Sequence, residues 1–261
     1  MRLILTLVIV SASLRAQEAK NSLNVGVAAF RQAHYQEAIA AFQQAATLEP
    51  DYVTAHLYLG MAYMVQWIPG AQSPENAQNA RAAKVEFQRV LELDATQITA
   101  LASLASMSYN EAAALPVDQK LAKFDEARDL NQRIVQLDPT EKNAYYFLGV
   151  IAWQKWHPAF MAARVQLGMA PETPGPLPDA SVRQSLKATY DASLEEGISN
   201  LQSALRIDPQ YDDAMAYMNL LVRERADLRD TKAEHDQDVA AADQWLQRAL
   251  ETKKTKARPQ Q

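Results

Sequence analysis

The chain has 261 residues, with 26 Lys and Arg against 31 Asp and Glu, a formal net charge of −5 and no cysteine. A hydrophobic content of 48% suffices for a real core, and 46 Ala beside only seven Gly favours helices over turn-rich β architecture. The mild acidity offers no concentrated basic face for nucleic acid, and the absence of Cys excludes disulfides, thiolate metal sites and cysteine nucleophiles.

Residues 1–16 read MRLILTLVIVSASLRA, in which Arg2 precedes an apolar run from Leu3 to Val10 and small residues lead to a cut after Ala16. This is the layout of a secretory signal peptide, so the chain is expected to be exported to the periplasm or secreted. The alternative is an uncleaved anchor, but about a dozen apolar residues fall short of the ~20 needed to span a bilayer. After cleavage no stable membrane span is expected.

The strongest signal is a repeat. EAIAAFQQAATLEP ends at Pro50, EARDLNQRIVQLDP at Pro139 and EGISNLQSALRIDP at Pro209, with a fourth copy, AKVEFQRVLELDA, ending at Ala95. Each is an amphipathic stretch closed by Leu or Ile, an acid and usually Pro, which cannot continue a helix. A second amphipathic stretch follows each: YVTAHLYLGMAY, QITALASLASMSY, KNAYYFLGVIAW and DDAMAYMNLLV. Paired helices of this kind need neighbours to bury their remaining apolar faces.

These residues resemble the tetratricopeptide repeat (TPR), a 34-residue helix–turn–helix unit. Small and aromatic residues stand at the matching places: Gly26, Ala38, Phe42, Ala45 and Pro50 in the first unit, and Leu59, Gly60, Tyr63, Ala83 and Phe87 in the second. The third keeps Leu104, Ala105, Ala127 and Pro139; the fourth has Leu148, Gly149, Gly197, Leu201, Ala204 and Pro209. A fifth begins at Asp212 with Met218, Ala242, Leu246 and Ala249. The resemblance implies an all-α fold, a right-handed α-solenoid of antiparallel helix pairs over residues 17–251, with units at about 19–52, 53–97, 98–141, 142–211 and 212–251. Residues 252–261 are expected to be a flexible basic tail.

Against a 34-residue unit, the second copy carries about 11 extra residues near QWIPGAQSPEN, the third about 10 around NEAAALPVD and the fourth about 36, at roughly 155–190. All lie between the two helices of a unit. Ser73-Pro74-Glu75 reads as an N-cap with Pro in the first turn. PETPGPLP is a Pro-rich loop, after which Ser181 is expected to cap a helix of roughly 40 Å running to Ile207.

Catalytic signatures are scarce. His34, His56, His157 and His235 show no zinc spacing, Glu195 and Glu196 point about 100° apart on a helix, and no phosphate loop or nucleophile elbow is present. No catalytic residue, metal ligand or cofactor is expected. Asp212 reads as the cap of its helix. WQKWHPAF is the most unusual stretch: either Pro158 ends a helix while the indoles pack, or the aromatics face a ligand, with a metal or enzyme site there as a remote alternative.

The resemblance further implies a concave groove lined by the first helix of each unit. Its candidate partner-binding residues are Tyr58, Met61, Met64, Tyr109, Asn143, Tyr146, Phe147, Trp153 and Tyr217, an aromatic and Met-rich set of the kind favoured in binding hot spots. Repeat packing falls to Gly26, Ala38, Phe42, Gly60, Ala83, Phe87, Ala127, Gly149, Gly197 and Ala204. The expected function is a non-enzymatic protein–protein interaction scaffold of the periplasm or cell envelope that binds a protein or peptide segment. The alternative is a structural or self-associating module whose groove is filled by its own insertion.

Overall fold

The computed structural model describes residues 2–112, 115–170 and 172–257. Ala113, Ala114 and Pro171, from two of the expected insertions, and residues 258–261 of the expected tail lie outside them. The described residues form ten helices and no strand, packed as adjacent pairs in the arrangement of a TPR-like helical solenoid. They divide into two compact units, residues 1–123 and 124–261.

The first unit holds α1 (Arg2–Arg31), α2 (Tyr35–Leu48), α3 (Val53–Gln66), α4 (Pro74–Leu93), α5 (Ile98–Ala112) and the start of α6 (Val117–Leu137). Residues 2–16, expected as a leader, and the first repeat helix run as one continuous α1. Ala38, Phe42, Ala45, Ala55 and Ala62 are wholly buried at its core. Gly26 lies under the Phe42 ring and Gly60 under the Phe87 ring, so closely that a Cβ would sit 2.4 Å and 2.8 Å from ring carbons. The insertion after α3 is ordered by Asn76, whose side chain accepts from Ile68 N at 2.6 Å and donates to the carbonyls of Ile68 and Ala71. Ser73 caps α4 by accepting from Asn76 N.

The second unit holds the rest of α6, α7 (Lys142–Gln166), α8 (Ala180–Ile207), α9 (Asp212–Ala226) and α10 (Lys232–Lys256). Its core gathers Trp156, Leu177, Leu194, Leu201, Met215, Met218 and Leu221. Gly149 of α7 takes the Leu201 side chain of α8 as Gly26 takes Phe42, with a Cβ position 2.4 Å from Leu201 Cγ.

Four expectations change here. Pro158 does not end its helix: α7 passes through it to Gln166. A mid-helix Pro costs about 3 kcal/mol, and burial of Trp156, Phe160, Ala163 and Arg164 on the surrounding turns outweighs that. Asp179, not Ser181, caps α8, accepting from the backbone N–H of Ser181 and Val182. Asp212 makes no cap; α9 starts from Tyr211, and Asp212 instead pairs with Lys256 at 2.5 Å. That pair belongs to a longer helix than expected, for α10 continues through the basic residues to Lys256, started by a capping box of Thr231 and Glu234.

The helices α2, α4, α6 and α8 stop at one register, before Glu49, Asp94, Asp138 and Asp208. Because α4 stops there with Ala95 in place of Pro, the acid is what the three later ends share. Asp94 Oδ1 accepts from Thr96 N at 3.0 Å, Asp138 Oδ1 from Thr140 N at 2.8 Å and Asp208 Oδ1 from Gln210 N at 2.9 Å. Such an Asx turn offers the chain an alternative to another helical turn. The Thr hydroxyls and then these N–H groups hold Asp94 and Asp138 below their ordinary pKa.

Candidate functional site

The chemistry of the second unit concentrates where α7 faces α9. Tyr146, Trp153 and His157 are spaced by seven and four residues, so one stripe of α7 carries all three. Tyr217 and Glu224, seven apart, form the matching stripe of α9. The two stripes interlock. Tyr217 meets Tyr146 and Trp153 edge-on, each at 5.7 Å between ring centroids, and Trp153 stacks on His157 at 4.5 Å. Both helices are held to Glu224, whose Oε1 accepts from Trp153 Nε1 at 3.0 Å and lies 2.8 Å from His157 Nδ1. Burial raises the pKa of Glu224, opposed in turn by the charge of His157 and by hydrogen bonding from Trp153, His157 and Trp156.

Toward the start of α7, Tyr146 also packs on Tyr211 at 5.0 Å and edge-on to Phe147 at 5.3 Å. Tyr211 donates its hydroxyl to Asn143 Oδ1 at 3.1 Å. Burial and the surrounding carboxylates, Asp213 first, push the Tyr211 hydroxyl up to about 12.

Toward the end of α7, the stripe opens on a cleft of about 470 Å³ between α7, α9, α10 and the loop at 172–175. Phe160 and Met161 form an apolar wall, with Arg164, Glu224, Asp227 and His235 among the polar lining. Arg164, a member of the long insertion, turns inward to Asp227 at 2.5 Å and donates to the Ala170 and Thr173 carbonyls. The loop therefore closes back on the end of α9, where Leu177 is wholly buried and its N–H donates to Asp227 O. The insertion forms a wall of the cleft.

Of the residues expected to bind a partner, Tyr146, Phe147, Trp153 and Tyr217 come together in this aromatic stripe, with Asn143 at its edge. Tyr58, Met61, Met64 and Tyr109 lie half-buried in the first unit, where Tyr58 stacks on Phe42 at 5.5 Å and packs against that unit's core. All ten residues assigned to repeat packing are buried. WQKWHPAF contributes on both sides: Trp153 and His157 to the stripe, Trp156 and Phe160 to a stacked pair in the core. Glu224, Arg164, Asp227 and His235 were not singled out for the site by their sequence context. RERADLRD reads as a solvated charged run, and only the seven-residue step from Tyr217 marks Glu224 as facing inward. Among the described residues, no three metal-ligating side chains converge.

A family profile described as TPR repeat matches residues 28–66, from the end of α1 through α3. The fold of the whole chain agrees. A crystal structure of MamA protein aligns over 94% of this chain and 97% of its own, at 17% identity and a TM-score of 0.52. MamA from Desulfovibrio magneticus RS-1 aligns over 92% and 98%, at 18% identity and a TM-score of 0.55. The chain thus carries a TPR repeat at residues 28–66 within a TPR-like helical fold. A third structure of similar fold is that of a putative protein binding protein from Bacteroides ovatus, covering 81% of this chain and 99% of its own at 15% identity and a TM-score of 0.50. No curated protein sequence matches this chain. The TPR fold supports a protein–protein interaction scaffold, with proteins or peptides as partners. Among the described residues, no helix is long and apolar enough to cross a membrane.

Proposed function

We propose that this non-enzymatic scaffold holds an extended or helical segment of a partner protein against the aromatic stripe of α7 and α9. The observation that carries the reading is the half-exposed state of Tyr146, Trp153 and Tyr217: three large rings, preorganised by one another, that the unit's own core leaves at its surface. Rigid aromatic anchors of this kind supply contact area at small entropic cost and dominate interface energetics. The leader at residues 1–16 supports export, which places the partner in the periplasm or cell envelope, or outside the cell.

The test is a crosslinked pull-down of the tagged protein from its own cell envelope, beside a Tyr146→Ala, Trp153→Ala, Tyr217→Ala variant. A partner recovered by the parent and lost by the folded variant establishes the face. Recovery of the chain alone, unchanged by the substitutions, replaces this reading with a self-associating module. Cleavage after Ala16 is checked by N-terminal sequencing of the protein taken from the cell.

A further inference from the structure

We propose that the cleft at the end of the α7–α9 stripe seats an aromatic side chain of the partner segment; this deepens the groove reading above and rests on it. The cleft is continuous with the aromatic face, because His157 lines the one and stacks on Trp153 of the other. Its size, about 470 Å³, lies within the range of sites that enclose a ligand group.

The charges of the lining exclude a charged occupant, because the protein has already matched them. Arg164 is bound to Asp227 and to two loop carbonyls, and Asp227 also faces His235 at 3.7 Å. Glu224, only 8% exposed, is held by Trp153, His157 and Trp156. Arg223 is tied to Asn219 Oδ1 and Asp243. Glu172 stands in water on the exposed loop. A polar side chain entering here would break one of these pairs or go unmatched, and either is costly. An apolar one displaces only water and covers Phe160, Met161, Pro174 and Val239.

The chemistry of that wall favours a ring over an aliphatic chain. Phe160 and His157 bring rings, and Met161 brings a thioether, which favours contact with an aromatic edge. With its N–H groups engaged by Asn219 and Asp243, Arg223 keeps the face of its guanidinium for stacking. Leu or Ile would fill space but meet none of these preferences.

The test pans a random dodecapeptide display library on the immobilised full chain and keeps the peptides whose binding Trp153→Ala removes. These are expected to share Phe, Tyr or Trp at one position. Changing that residue to Ala in a synthetic copy should weaken binding about tenfold or more, as loss of a buried anchor does, and Lys there should bind no better. Val239→Trp, which fills the cleft from α10, should remove the aromatic preference while peptides still bind the stripe more weakly. Pro174→Trp, on the exposed loop, fills it from the other side if the first variant fails to fold. The absence of a shared position, or a shared residue that is charged or aliphatic, overturns the inference while leaving the groove reading in place. An aromatic preference that survives both fillings does the same. Failure to recover any peptide that Trp153→Ala loses overturns both.

Discussion

Arg164 in the last turn of α7 and Asp227 just beyond α9 meet at 2.5 Å with side chains only 5% and 8% exposed. The same arginine holds two loop carbonyls, while the Asp227 backbone carbonyl accepts from Leu177. Gly175 presses against Asp227 from the loop side, leaving no room for a Cβ. Removing one partner of a buried pair strands the other, at a cost of about 3–5 kcal/mol. Arg164→Ala is therefore expected to lower the melting temperature by more than any exposed substitution and to make residues 167–179 a protease-sensitive site. A loop that resists cleavage in this variant would show that the ion pair does not secure it.

Two tryptophans three residues apart separate packing from recognition. Trp156 is wholly buried, so Trp156→Ala should destabilise the second unit by about 3–5 kcal/mol. Trp153 is half-exposed, and Trp153→Ala should cost no more than about 1–2 kcal/mol while removing partner capture. Thermal melts of both variants beside the pull-down decide the matter, and equal melting temperatures would contradict it.

Gly26, Gly60 and Gly149 each lie under a buried side chain that has nowhere to move. Alanine at any of the three should cost about 1–3 kcal/mol through overpacking. Gly168 provides the contrast, since a Cβ there meets nothing within 4 Å but its φ is +68°. Gly168→Ala should cost about 1–2 kcal/mol, from backbone conformation alone. Denaturant unfolding midpoints measure all four.

Two buried carboxylates on neighbouring helices should give opposite pH dependence. Glu224 is raised above its ordinary 4.5 by burial, so its contribution is whole below that value and is lost as pH rises through the folded pKa. Burial also pushes Asp238 up, but hydrogen bonds and charge from Arg225 and Arg229 outweigh it and hold Asp238 below its ordinary 3.8. Its contribution is present above 3.8 and is lost as pH falls through the folded pKa. Relative to the parent, Glu224→Gln should thus gain stability from pH 4.5 upward, whereas Asp238→Asn should be most damaging near neutrality. Melting curves of both variants across this range test the signs, and parallel profiles would contradict the assignments.

The repeat was legible because its packing residues are small or aromatic at fixed offsets, and a close helix crossing leaves few substitutes for either. The aromatic stripe was legible in part for a related reason: Tyr146, Phe147, Trp153 and Tyr217 are too large to be incidental. What the sequence concealed are decisions made by tertiary contacts. Pro158 is a helix breaker in isolation, and only the burial of Trp156 and Phe160 keeps α7 whole. Lys256 belongs to a basic run that looks solvated until Asp212 is brought to it across α9 and α10. Glu224, Asp227 and His235 read as charges of a polar helix end because no local pattern announces that the insertion folds over them.

The glycine contacts bear on how a hairpin can change length. Gly26 with Phe42, Gly60 with Phe87 and Gly149 with Leu201 set where paired helices cross, although the chain between the partners is far longer in the last pair than in the first. A hairpin pinned at its crossing can grow at its tip without altering how it closes. Extra residues are therefore tolerated between the two helices of a repeat, where added length becomes new surface such as the wall built from Arg164 and Leu177.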